Sequence, residues 1–163
     1  MFNRPVLHIP KSKLEVVHDA LAIVILLGIM AYTAFVWAAL PDQFPTHFDS
    51  SGKPNGWGGR GNLLLLPILS VFIYAGLTLL RKVPHKFNYL REITEANAQR
   101  QYVIAIQMLS WMKVLIVALF GFVEWNIIQA AYGYEPQAWL LVISVLIFLA
   151  VIFFHIIRSL KAN

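Results

Sequence analysis

The chain has 163 residues, 59% hydrophobic and only 13% charged, with a formal net charge of +5 and no cysteine. A soluble domain is usually about 45–50% apolar and about 25% charged, so this composition leaves too little polar surface to coat a water-soluble globule. The absence of cysteine excludes a disulfide framework, a thiolate metal site and cysteine nucleophile chemistry.

Residues 1–19 are polar and basic, with Arg4, Lys11 and Lys13, and Pro5 and Pro10 argue against a long helix at the start. A helix beginning over 13–18, lying at the inner membrane surface, fits this composition. An uncharged apolar run follows at 20–40. A helix rises about 1.5 Å per residue, so about 20 residues cross a hydrocarbon core of about 30 Å. The apolar core of a cleaved signal is shorter, about 7–15 residues, and 20–40 is therefore read as a permanent span. Residues 62–80 form a second span, with Pro67 in its first turns predicting a bend. The stretch 81–101 is a basic connector, and Pro84 stops the second helix. A third span, 102–126, carries Gln107, Ser110, Lys113 and Glu124, and a fourth, 138–158, carries Ser144 and His155. The expected fold class is an all-α membrane protein of four transmembrane helices, forming a single domain over 1–163.

Ten lysines and arginines lie in the N-terminal tail, the connector and the C-terminal tail, against Lys53 and Arg60 in the 41–61 loop. The positive-inside rule then places both termini and the connector in the cytoplasm and the 41–61 loop outside, in a multi-pass inner-membrane protein. Trp37, Trp57, Trp125, Tyr132, Tyr134 and Trp139 fall near the outer boundary, as an interfacial aromatic belt does. The basic residues flank membrane segments and form no separate stripe, so nucleic acid is not an expected partner.

Glycine, proline, histidine and carboxylates collect in the 41–61 loop. If 44–49 is extended, His47 and Asp49 share one face, while Phe44, Thr46 and Phe48 share the other. The run Asp49-Ser50-Ser51-Gly52 and the run Lys53-Pro54-Asn55-Gly56 read as turns. His47, Phe48, Asp49, Trp57 and Arg60 are the candidate contacts for a ligand or partner. A divalent metal at His47, Asp49 and Glu124 is an alternative, although no HExxH-like spacing supports it; the main reading calls for no cofactor. Lys113 is either mid-membrane and functional or snorkels to the cytoplasmic headgroups. Glu124 is expected at the outer end of its helix, accepting hydrogen bonds from the loop backbone or from Arg60. A sharper reading makes Glu124 and His155 parts of a proton relay.

The pattern Pro45-x-His47-Phe48 with Gly52-x-Pro54, Gly56, Gly58 and the run Leu63 to Pro67 resembles a family of bacterial membrane domains of unknown function. That SdpI-like domain also forms the N-terminal part of the Sdp immunity protein. The connector residues Ile93-Thr94-Glu95, Asn97, Gln101-Tyr102 and Trp111-x-Lys113 look like its short stand-alone members. The resemblance covers roughly 40–113 and includes no recognised enzyme motif. It implies a four-span bacterial inner-membrane domain with a structured outer loop, and brings toxin immunity or signalling into view. Three functions follow as expectations. One is binding or sensing of a peptide (a toxin among them), a lipid or another membrane protein through the loop. The second is a metal-dependent membrane enzyme. The third is an ion- or proton-coupled transporter through Lys113 and Glu124, which would require a homo-oligomer.

Overall fold

The computed structural model describes residues 4–49 and 51–162. Its described residues form helices α1 (Lys13–Val36), α2 (Leu65–Leu80), α3 (Ala98–Ala131) and α4 (Ala138–Lys161), with a two-stranded hairpin of β1 (Phe44–Phe48) and β2 (Pro54–Gly58) between α1 and α2. All four helices are long and apolar enough to cross a membrane, the second together with the 3-10 turn Arg60–Leu64 that leads into it.

α1 starts inside the polar stretch, ahead of the apolar run. Ser12 accepts from the Glu15 amide at 3.2 Å, and the Glu15 carboxylate accepts from the Ser12 amide at 2.9 Å. This reciprocal cap satisfies two of the N–H groups that a helix start leaves open. The helix expected to begin over 13–18 does begin at Lys13, and it continues without interruption into the apolar run. Pro67 is the third residue of α2, just after the 3-10 turn Arg60–Leu64 passes into α-helix.

α3 is the central helix. Its 34 residues extend about 51 Å, well beyond a hydrocarbon core. α1, α2 and α4 all lie against it. In its most apolar window 39% of residues are buried inside the protein, against 6% for α4, which therefore relies on lipid to cover its outer faces.

α1 and α3 run in the same direction, and side chains join them along their whole length. His18 Nδ1 meets Ser110 Oγ at 2.9 Å, Asp19 meets Lys113, Thr33 meets Glu124, and Gln129 donates to the Tyr32 hydroxyl at 3.3 Å. Gly121 lies in the middle of this seam. A Cβ there would run into the Ile29 side chain, so the glycine sets how closely the two helices approach.

Two apolar clusters fix the ends of the bundle. Val36, Leu40, Phe44, Leu63 and Ile128 bury the roots of the hairpin against α1 and α3. At the other end Ile93, Ala98 and Tyr102 contact Leu7, Ile9 and Tyr89, tying the N-terminal tail to the connector. Tyr102 donates to the Pro5 carbonyl at 3.0 Å, and Arg4 donates to the Phe87 carbonyl at 2.6 Å. Burial pushes the Tyr89 phenol above its usual range, and its hydroxyl donates to the Pro84 carbonyl at 3.0 Å.

Candidate functional site

The hairpin is the first candidate. β1 and β2 pair antiparallel, Pro45 opposite Trp57 and Phe48 opposite Pro54, with irregular register around His47. Most of the run Lys53-Pro54-Asn55-Gly56, read from its proline and glycine as turn, instead belongs to the strand Pro54–Gly58. Gly56 allows it: a Cβ there would come within 2.8 Å of the His47 Cβ. The connecting turn uses Gly52 at φ +80, a conformation that disfavours any side chain. Ser50 lies outside the described residues.

The polar side chains of this hairpin are engaged locally. His47 Nδ1 pairs with Asn55 Oδ1. Asp49 Oδ1 accepts from the Ser51 hydroxyl at 2.7 Å, the Ser51 amide at 2.8 Å and the Lys53 amide at 3.0 Å. The Ser51 hydroxyl first, then the Lys53 amide, hold the Asp49 carboxyl below the usual carboxylate range. Arg60 pairs with Asp42 at 3.2 Å, and Glu124, for which Arg60 or the loop backbone was the expected donor, is met by Thr33 instead. The reason is local: Arg60 opens the 3-10 turn beside the Asp42 bend, whereas Glu124 faces inward from α3. Trp57, by contrast, is 64% exposed.

Between the hairpin and the facing ends of α3 and α4 lies a cleft of about 270 Å³. Thr46, Phe48, Val123, Ile127 and Leu141 contribute to its walls, and His47, Asp49 and Asn126 supply polar groups. Asn126 braces the cleft: its amide donates to the Phe122 carbonyl at 2.9 Å and its oxygen accepts from the Gln137 amide at 2.7 Å, joining α3 to the start of α4. His47, Phe48 and Asp49 are thus gathered at one cleft, while Trp57 and Arg60 are not among its lining residues.

The buried charges of the helix bundle form a second candidate. Lys113 is 5% exposed, its ammonium held inside the bundle. Its ammonium donates to Asp19 and, at 3.1 Å, to the Thr78 hydroxyl, and lies 4.9 Å from the centre of the Tyr74 ring. Lys11 meets the other Asp19 oxygen, and Glu15 binds Arg81, which also donates to the Ile9 carbonyl at 3.2 Å. Sequence reasoning missed Glu15, His18 and Asp19, which sit in what composition marks as a tail. Charge balance was the available signal: a lysine within a span calls for an acid at the same depth. Glu124 is 1% exposed; Thr33 donates to one of its oxygens, and the other has no partner among the described residues.

These positions do not converge on a metal centre. Among the described residues no three His, Asp or Glu side chains come together as a candidate ion site. Nor do Glu124 and His155 form a relay. His155 bonds the Val151 carbonyl of its own helix at 2.9 Å, near the end of α4 remote from the hairpin.

The hairpin, the second half of α1 and the first part of α2 form one continuous segment. Residues 24–71 match a domain of unknown function, DUF1648. No curated protein matches the chain, and no solved structure does. The DUF1648 segment contains all of the hairpin, and the partners it meets on α3, Ile128 and Glu124, lie outside it.

Proposed function

We propose that this protein binds or senses a peptide or another membrane protein at the hairpin, through the cleft between the hairpin, α3 and α4. One observation carries the reading: the hairpin itself engages His47 and Asp49 beside a mostly apolar cleft, while Trp57, outside the cleft lining, stands exposed on the same hairpin. A pre-ordered surface with an exposed aromatic loses little conformational entropy on binding, and tryptophan is prominent among residues that dominate interface energies. The positive-inside count supports a reading in which both termini are cytoplasmic and this surface faces the outside, and the family resemblance suggests a bacterial inner membrane. The SdpI-like resemblance of residues 40–113 adds toxin immunity or signalling as the setting for such binding.

Photo-crosslinking in intact cells tests the reading. A photoreactive residue at Thr46 or Trp57 is expected to yield a discrete polypeptide adduct, mapped by mass spectrometry to one partner. The same residue at Val142, exposed on α4, is expected to yield lipid adducts only. Identical lipid-only adducts at all three positions would defeat the proposal.

A further inference from the structure

At the end of the helix bundle opposite the hairpin, the start of α3 and the end of α4 enclose a trough of about 660 Å³. Arg100, Arg158 and Lys161 line it, and none of them forms an ion pair among the described residues. Val103, Phe154 and Ile157 supply an apolar wall that continues along the two spans. Gln99 and Arg100, in the N-terminal turn of α3, border the trough too, at the positive end of the helix dipole.

The geometry is built rather than incidental. Gln101, fully buried on α3, donates to the Ser159 carbonyl at 2.9 Å and the Ala162 carbonyl at 3.0 Å, and accepts from the Ser159 hydroxyl at 2.6 Å. Arg91 donates to the Leu160 carbonyl at 3.0 Å. These bonds fix the last turn of α4 against α3 and so hold Lys161 and Arg158 beside Arg100. Arg158 is further oriented by Gln107 at 2.9 Å and by the Phe154 ring, 5.6 Å from its guanidinium carbon.

We infer that this trough is a site for one anionic phospholipid. Its phosphate sits among Arg100, Arg158 and Lys161, and one acyl chain lies along Val103, Phe154 and Ile157. Charge complementarity decides the headgroup: three cations without a carboxylate partner among the described residues call for an anion. The apolar wall decides for a lipid over a free anion, because a water-soluble phosphate would leave it uncovered. Basic pockets between spans, at the level of the headgroups, take anionic lipids for this reason.

Native mass spectrometry of the whole protein tests the inference, with phosphatidylglycerol and phosphatidylcholine of identical chains supplied in equal amounts. A basic side chain beside an anionic lipid surface is worth roughly a fivefold change in binding. The unaltered protein should therefore retain phosphatidylglycerol over phosphatidylcholine by roughly tenfold or more, and the double variant Arg100→Gln/Lys161→Gln should reduce this to within about twofold. The double variant Lys82→Gln/Lys86→Gln removes the same charge from exposed connector positions and should leave the preference intact. Millimolar inorganic phosphate should not displace the lipid. The inference falls if the unaltered protein shows no headgroup preference, or if the trough variant keeps it. It falls equally if the connector variant loses as much, or if inorganic phosphate competes the lipid away.

Discussion

At the connector end, Lys113 is met by Asp19, Thr78 and the Tyr74 ring, and Arg81 is met by Glu15. At the hairpin end, Glu124 is more deeply buried yet has only the Thr33 hydroxyl, with its second oxygen unpartnered among the described residues. The contrast separates two uses of polarity in one helix bundle. Opposite charges at the connector end fix the register of α1, α2 and α3 by mutual neutralisation. The hairpin end is held by the apolar cluster around Leu40 and Phe44, and its polar groups form a surface. Charge should thus matter for stability at one end and much less at the other.

Removing Asp19 should have the largest effect. Asp19→Ala leaves the Lys113 ammonium buried without a counter-charge, a change that costs about 3–5 kcal/mol in buried pairs. Thermal unfolding in detergent should show a large fall in midpoint and yield. The uncharged pair Asp19→Asn/Lys113→Met should recover most of it, because the penalty comes from the lone charge. If Asp19→Ala unfolds at the same temperature as the unaltered protein, the neutralisation account is wrong.

Glu124 should respond differently. Glu124→Gln keeps an oxygen for the Thr33 hydroxyl, and its midpoint should match that of the unaltered protein within about 1 kcal/mol. Glu124→Leu should cost only about 1 kcal/mol more, since a helical threonine can turn its hydroxyl back to its own helix. Destabilisation of Glu124→Gln as severe as that of Asp19→Ala would erase the difference between the two ends.

The smallest effect is confined to the hairpin turn. The Asp49 carboxyl is depressed in the folded turn, so its contribution is fully present above the unfolded value of about 3.9. It is lost as pH falls through the folded value. Amide NMR of Ser51 and Lys53 should therefore titrate with a midpoint below about 3.9, and Asp49→Asn should abolish the transition. A midpoint at or above the free-carboxylate value would mean that the turn does not hold Asp49 as described.

Much of this architecture was legible because membrane spans announce themselves: each needs about 20 apolar residues, and few other constraints compete. The extended character of 44–49 was legible too, from the alternation around His47 and Asp49. The start of α1 was legible too, but not its inward face, because Glu15, His18 and Asp19 make 13–19 look like a solvated surface segment when their polar groups face inward. Lys113 posed a problem that its own neighbourhood could not solve, since its partner lies on a different helix far away in sequence. The pairing of β2 was hidden for a different reason. Pro54, Gly56 and Gly58 are poor strand formers, and only the close approach of His47 explains the glycine opposite it. The partner of Glu124, expected in Arg60 or the loop backbone, was missed because spacing along the chain does not reveal that Glu124 points toward Thr33 on α1.

The most direct test compares Trp57→Ala with Asp19→Ala, reading unfolding midpoint and the photo-adduct formed from Thr46 in the same preparations. The account predicts that Trp57→Ala keeps the midpoint and loses the polypeptide adduct. It predicts that Asp19→Ala lowers the midpoint while its folded fraction still forms the adduct. The opposite pattern, with Trp57→Ala unfolding the protein or leaving the adduct undiminished, would contradict the assignment of recognition to the hairpin.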